Sequence, residues 1–101
     1  MYSLSNISKL GHIGKLAPET MDAFRAWDKL ALSDGAIPKK YKELMAIAVA
    51  LTTQCPYCIE IHRKQALEAG VTETELAEAV HVAAALRAGG AITHGTHLFQ
   101  G

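Results

Sequence analysis

The sequence predicts an all-α fold, a single small helical domain of about five to six helices with a central antiparallel helical hairpin. Apolar residues recur at helical spacing in several segments, whereas no alternating apolar and polar run typical of a strand is present. Proline and glycine stand where such helices would begin and end. Alanine accounts for seventeen of the 101 residues, and its small side chain favours closely packed helices.

Length and charge restrict the classes of function. A chain of 101 residues is predicted to form one domain, residues 1–101. Ten basic and ten acidic side chains balance, which argues against a nucleic-acid binder and against a disordered chain. The sequence has neither an apolar run of membrane-spanning length nor a signal-peptide pattern, so we expect a cytoplasmic protein with no membrane partner.

The first helix of the predicted core follows an irregular N-terminal segment. Residues 1–17 show little periodicity and contain Gly11 and Gly14, so they predict a short turn or frayed helix followed by a loop. Pro18 suits a first helical turn, because its missing N–H would be unpaired there. The spacing of apolar residues then predicts a helix over Pro18–Ser33, with Gly35 as its stop.

The next two helices form the predicted hairpin, which turns near residues 52–53. The second helix begins at Pro38. Its predicted buried face consists of Leu44 and the apolar residues three, four and seven positions after it, which are Ile47, Ala48 and Leu51. Its first turn carries three lysines that predict a solvated basic edge, with an anionic ligand or a subunit contact as the alternative: Lys39, Lys40 and Lys42. The third helix covers Pro56–Ala69, with Cys55 as its N-cap and Gly70 as a left-handed C-cap.

A fourth helix begins at a capping box, in which a threonine precedes a glutamate by three residues. The pair is Thr72 and Glu75, and an apolar face follows it. Gly89-Gly90 predicts the end of this helix, and Ala91–Phe99 is predicted as a last short helix.

The chemically informative motif is Cys55-Pro56-Tyr57-Cys58, followed by His62. Offsets of three, four and seven residues put both thiols and the imidazole on one helix face. Unpaired N–H groups and the positive end of the dipole stabilise thiolates in a first helical turn. A reactive thiol beside a second thiol passes from sulfenic acid to a disulfide, and a histidine can relay the proton. The motif therefore predicts a redox-active thiol pair.

Glu43 adds a carboxylate to this group. In an antiparallel hairpin, Glu43 and His62 are each about ten residues from the turn, or roughly 15 Å of helix rise. The two side chains are then nearly level. A carboxylate at that position would orient the imidazole and accept its proton.

Other interpretations of the cysteines remain open. Cys55, Cys58 and His62 supply three zinc ligands, and Glu43 or His81 would be the fourth. Structural zinc sites usually draw paired ligands from two separated knuckles, so three ligands on one helix face make a poor tetrahedral site. The chain has too few cysteines for an iron–sulfur cluster. Inert, packed thiols are the third alternative.

The residues from about Pro18 to Gly95 resemble the alkylhydroperoxidase core of the carboxymuconolactone decarboxylase superfamily. Three features carry the resemblance: a glutamate twelve residues before a C-x-x-C pair, the histidine four residues after that pair, and the Gly89-Gly90 pattern. The resemblance implies a helical core over about residues 18–95. It places Glu43, Cys55, Cys58 and His62 on the family's catalytic positions.

The activity implied by this resemblance is a thiol-dependent peroxidase or disulfide oxidoreductase that needs no haem or flavin cofactor. In it, Cys58 attacks the hydroperoxide, Cys55 donates a proton and resolves the sulfenic acid, and Glu43 and His62 relay the proton. Better-known members carry histidine where this chain has Tyr57. The resemblance also implies a homo-oligomer, a trimer or hexamer, and a thiol or disulfide protein as reductant.

Two further hypotheses come from other classes of function. One is a lactone decarboxylase of the same superfamily, a chemistry that does not call for a cysteine pair. The other is a non-enzymatic helical assembly module whose thiols sense redox state or bind a metal.

Overall fold

The computed structural model describes residues 3–101, and within them it contains helices and connecting turns but no strand. Met1 and Tyr2, which belong to the predicted N-terminal turn, lie outside the described residues. A 3-10 helix, Leu4–Lys9, precedes the α-helices, and a second one, Gly95–Leu98, follows them. The helices are α1 (Leu10–Leu16), α2 (Pro18–Ala31), α3 (Lys39–Thr53), α4 (Pro56–Glu68) and α5 (Glu73–His94).

α3 and α4 form the antiparallel hairpin that the sequence predicts. Gln54 ends α3 in the left-handed conformation, with a φ of 56°. Cys55 is the N-cap of α4, and Pro56 occupies the first helical position. The connection between the two helices is therefore only two residues long, which holds the start of α4 close to the end of α3.

The buried core lies where α3, α4 and the start of α5 meet. Ile47, Ala66 and Val71 are its buried members, and three partly buried leucines pack against them: Leu44, Leu51 and Leu76. Ala66 has no exposed surface, so the backbones of α3 and α4 can approach each other closely at this point. The hairpin is thereby fixed two turns away from the cysteine motif.

The turn from α4 into α5 contains both features that the sequence predicts, a left-handed glycine and a capping box. Gly70 has a φ of +91°, a conformation that side chains with a Cβ rarely adopt. The Thr72 hydroxyl accepts a hydrogen bond from Glu75 N–H, and the Glu75 carboxylate accepts one from Thr72 N–H. Both expected contacts of the capping box are present, and α5 begins at Glu73.

Two glycine-based predictions are wrong. Residues 10–16 form α1 rather than a loop, and Gly14 allows α1 to lie against α2, because a Cβ there would be 3.3 Å from Met21 Cγ. The fourth predicted helix does not end at Gly89-Gly90, since α5 continues to His94. A glycine inside a helix costs only about 1 kcal/mol relative to alanine, and no proline follows to stop the helix.

α1 and α2 extend away from the hairpin and leave a large apolar surface uncovered. Residues 3–101 span 55 × 31 × 29 Å, with a radius of gyration of 16.9 Å. A compact chain of this length has a radius of gyration of roughly 13 Å. Phe24 and Trp27, two large apolar side chains of α2, are 53% and 71% exposed. They are not part of a core within this chain.

Candidate active site

The hairpin brings the four residues of the predicted site close together, as two contacting pairs that face each other across α3 and α4. Cys55 caps α4, Cys58 lies in its first turn, and His62 lies one turn further along. Glu43 faces them from α3, and its Oε2 is 2.9 Å from His62 Nδ1. The contact expected from counting residues on either side of the turn is therefore present.

The two cysteines are free thiols in contact with each other. Their Sγ atoms are 2.7 Å apart and share a hydrogen bond, and Cys58 N–H donates to Cys55 Sγ at 3.3 Å. The hydrogen bond with the Cys58 side chain, together with backbone N–H groups of α4, lowers the pKa of Cys55 below its ordinary value. Cys55 is therefore the thiol that ionises first.

Cys58 behaves in the opposite way. Its hydrogen bond with Cys55, its burial and the nearby charges raise the pKa of Cys58 to about 11. The backbone N–H at the helix start lowers the pKa of Cys58, as expected from the sequence, but these other causes outweigh it in the reduced pair. Once Cys55 has ionised, the two sulfur atoms in contact share the remaining proton, because a second negative charge beside the first is strongly disfavoured.

Glu43 is a buried carboxylate with two partners. Its side chain has no exposed surface, and Lys39 Nζ donates to Oε1 at 3.0 Å while His62 occupies Oε2. Burial of an ionised group without such partners would be costly. Among the described residues, no buried side-chain nitrogen or oxygen lacks a hydrogen-bond partner.

Lys39 is the site residue that sequence reasoning missed. The sequence pattern groups it with its two neighbouring lysines in a solvated basic edge, yet its ammonium contacts a fully buried carboxylate. The available signal was the spacing of four residues between Lys39 and Glu43, which places both on one face of a helix.

A cleft of about 330 Å³ gives access to the site. Cys58 and His62 line it from α4, and Asp28 lies at the α2 side. The other lining residues are mainly apolar: Ala31, Leu32, Met45, Ala46, Val49, Ala50 and Thr53. The negative charge of Asp28 is one of the lesser causes of the raised pKa of Cys58.

Two other features bear on the sequence predictions, a metal site and a membrane-spanning helix. Within residues 3–101, no three or more histidine, cysteine, aspartate or glutamate side chains are arranged to hold a metal ion. His81, the alternative zinc ligand, is exposed on α5. The described helices include none with the length and hydropathy needed to cross a membrane.

Comparison with known proteins assigns the chain to a family. A family model described as "Carboxymuconolactone decarboxylase family" matches residues 18–100. The chain belongs to the carboxymuconolactone decarboxylase family. The match begins at the first residue of α2, so it contains the whole hairpin and all four predicted site residues.

Two individual proteins are similar to this chain over most of its length. A Paracoccus denitrificans protein named "Uncharacterized protein 4 in cox locus" is 46% identical over 85 residues, which cover 84% of this chain and 77% of that protein. The apo crystal structure of a carboxymuconolactone decarboxylase family protein from Legionella pneumophila matches with a TM-score of 0.77 and 35% identity, covering 81% of this chain and 73% of that one. The helical alkylhydroperoxidase-like fold predicted from the sequence is confirmed.

A more distant relative carries a functional name. An alkyl hydroperoxide reductase from Mycobacterium tuberculosis is 33% identical over 67 residues. These residues are 64% of this chain but only 20% of that protein.

Proposed function

We propose that this family member is a thiol-dependent peroxidase that reduces organic hydroperoxides and is itself re-reduced by a thiol or disulfide protein. The main support is that two of the four side chains line one cleft and the other two contact them. Cys58 and His62 line the cleft, Cys55 touches Cys58 at 2.7 Å, and Glu43 holds His62 at 2.9 Å. This arrangement supplies a nucleophile, a resolving thiol and a proton relay.

The reaction begins with the proton shared by the two thiols. Cys55 ionises first, but Cys58 is the sulfur that lines the cleft. Transfer of the Cys58 proton to Cys55 across 2.7 Å produces a thiolate where the substrate enters. The Glu43–His62 pair is a second acceptor for that proton, through water in the cleft.

Oxidation then takes place in two balanced steps. The Cys58 thiolate attacks the distal oxygen of ROOH, the O–O bond breaks, and the alkoxide takes the Cys55 proton and leaves as ROH. Cys58 is then a sulfenic acid. The Cys55 thiolate attacks the Cys58 sulfur, the S–O bond breaks, and the hydroxide takes a proton from solvent through the Glu43–His62 pair and leaves as water. The products are one disulfide, one alcohol and one water, and an external thiol restores the pair.

The lining of the cleft favours an organic hydroperoxide over a strongly polar substrate. Most of its side chains are apolar, and an alkyl group loses unfavourable contact with water on entering such a cleft. The negative charge of Asp28 at the cleft disfavours an anionic substrate. We therefore expect neutral alkyl or aryl hydroperoxides to react faster than hydroperoxides that carry a carboxylate.

Self-association is part of the same proposal, as a trimer or hexamer. Large apolar side chains on α2 and α5 are exposed, among them Trp27 at 71%, Leu30 at 73% and Ile92 at 77%. Apolar surface of this extent is typical of protein interfaces rather than of isolated small domains. Analytical ultracentrifugation that finds a stable folded monomer at micromolar concentration would contradict this part.

The peroxidase proposal is tested with single-cysteine variants and cumene hydroperoxide. Cys58→Ser is expected to abolish peroxide consumption. Cys55→Ser is expected to complete one reaction and stop at a Cys58 sulfenic acid that dimedone labels. His81→Ala, a change on the exposed face of α5, is the control and should retain full turnover. Undiminished turnover in Cys58→Ser would overturn the mechanism.

A further inference from the structure

The buried Glu43 carboxylate has a partner outside the four-residue site. Oε2 meets His62 Nδ1 at 2.9 Å, and Oε1 accepts a hydrogen bond from Lys39 Nζ at 3.0 Å. The Glu43 side chain is fully buried, whereas that of Lys39 is 43% exposed. We propose that Lys39 is a positioning residue whose ammonium keeps Glu43 ionised and thereby keeps Nε2 of His62 free to accept a proton.

The role of His62 depends on which of its ring nitrogens carries hydrogen. An ionised carboxylate can only accept hydrogen bonds, so the contact with Glu43 requires a hydrogen on Nδ1 of His62. The neutral imidazole then has its lone pair on Nε2. Because Nδ1 is occupied by Glu43, Nε2 is the nitrogen left to exchange a proton with a group in the cleft.

Removal of the Lys39 ammonium would leave a buried negative charge on the Glu43–His62 pair, and one proton would neutralise it. If the proton binds His62, both ring nitrogens carry hydrogen. If it binds Glu43, the carboxyl group donates to Nδ1 and the imidazole hydrogen moves to Nε2. Both outcomes remove the lone pair from Nε2, although Glu43 and His62 are still in contact.

The charged groups around Lys39 do not substitute for it. Asp28 and Lys29 of α2, and Glu68 of α4, line a cleft beside Lys39. Asp28 and Glu68 are acidic and therefore cannot stabilise the ionised form of Glu43. The Lys29 ammonium has no hydrogen bond or ion pair with Glu43, whose two oxygens are occupied by Lys39 and His62.

The next lysine along the helix provides a matched control. Lys40 lies in the same turn of α3, but its ammonium pairs with Glu75 of α5 at 3.1 Å. Lys40→Met therefore removes one positive charge from the same helix end without touching Glu43. Any effect of the overall charge of the helix terminus appears equally in Lys39→Met and in this control.

The direct test is ¹⁵N NMR of histidine-labelled protein at pH 8, where the signal of a ring nitrogen with a lone pair is distinct from that of a protonated one. We expect a lone pair on Nε2 of His62 in the wild type, in Lys39→Arg and in Lys40→Met, and its loss in Lys39→Met. A wild-type His62 that carries hydrogen on Nε2 would overturn the proposal without any variant. An unchanged Nε2 signal in folded Lys39→Met would also overturn it.

The kinetic consequence rests on the proposed peroxidase function. Peroxide turnover of Lys39→Met at pH 7 should fall at least tenfold and recover as the pH rises, while Lys39→Arg retains most of it. If the wild type lacks peroxidase activity but the Nε2 signals change as expected, the proposed function fails and the assignment of Lys39 stands. If turnover is present and Lys39→Met keeps both its rate and its Nε2 signal, the assignment fails alone.

Discussion

Replacement of Cys55 with alanine tests how the thiol pair distributes its proton. The hydrogen bond with Cys55 is the largest cause of the raised pKa of Cys58, and the Cys55 charge adds to it. Burial is the remaining principal cause, and the substitution leaves it largely in place. The pKa of Cys58 in Cys55→Ala should therefore fall from about 11 most of the way towards the ordinary 9.0.

The size of the effect follows from these two values. At pH 8 a thiol with a pKa of 11 is about 0.1% ionised, and one with a pKa of 9 is about 9% ionised. Complete relief would therefore raise the thiolate fraction of Cys58 by about a hundredfold. Because burial still opposes ionisation, we expect an increase of at least tenfold.

The assay is the rate of alkylation by iodoacetamide as a function of pH, with Cys58 as the only thiol in the chain. The rate reports the thiolate fraction, since the thiolate is the nucleophile. The reciprocal variant Cys58→Ala is the control, and its remaining thiol, Cys55, should titrate at a higher pH than it does in the pair. A midpoint that stays near 11 for Cys58 in Cys55→Ala would refute the reasoning.

Three further predictions concern the helices that position the site. Gly70→Ala should destabilise the fold by about 1–2 kcal/mol in chemical denaturation, because Gly70 has a φ of +91°. Gly89→Ala lies inside α5 with open space around it and should stabilise the fold by up to about 1 kcal/mol. Equal effects of the two substitutions would contradict the different roles given to these glycines. Thr72→Ala should cost about 1 kcal/mol through loss of the capping box, with Thr74→Ala as the uncapped control. The hydrogen bond from Thr72 N–H and the contact with Lys40 lower the pKa of Glu75, so its contribution to stability is present above the ordinary pKa of glutamate and is lost as the pH falls through the folded value. Between neutral and acidic pH, the Glu75→Gln variant should accordingly lose less stability than the wild type, as measured by thermal unfolding.

The hairpin and its chemistry were predictable because their determinants are local. Pro56 after Cys55 places a helix start at the motif, and helical spacing then puts Cys58 and His62 on one face. The contact between Glu43 and His62 was expected from their equal distances to the turn, and the structure has it at 2.9 Å. Capping residues and a short connection leave the chain few alternatives in this region.

The predictions based on glycine were less reliable than those based on helical spacing and capping. Gly70 ends its helix, but Gly14 lies within α1 and Gly89-Gly90 lies within α5. A glycine permits a helix to end without requiring it to do so. Whether the helix ends there depends on the residues after the glycine and on whether a neighbouring helix needs the space.

The sequence by itself determined the all-α class, the hairpin and the four candidate site residues on it, because these depend on spacing and capping within short segments. Only the tertiary structure decided that Glu43 is fully buried beside Lys39 and that Cys55, rather than both cysteines, is the favoured thiolate. It also decided that Cys58 and His62 open into an apolar cleft. Burial and distances of a few ångströms between charges set these properties, and neither is encoded by the positions of residues along the chain.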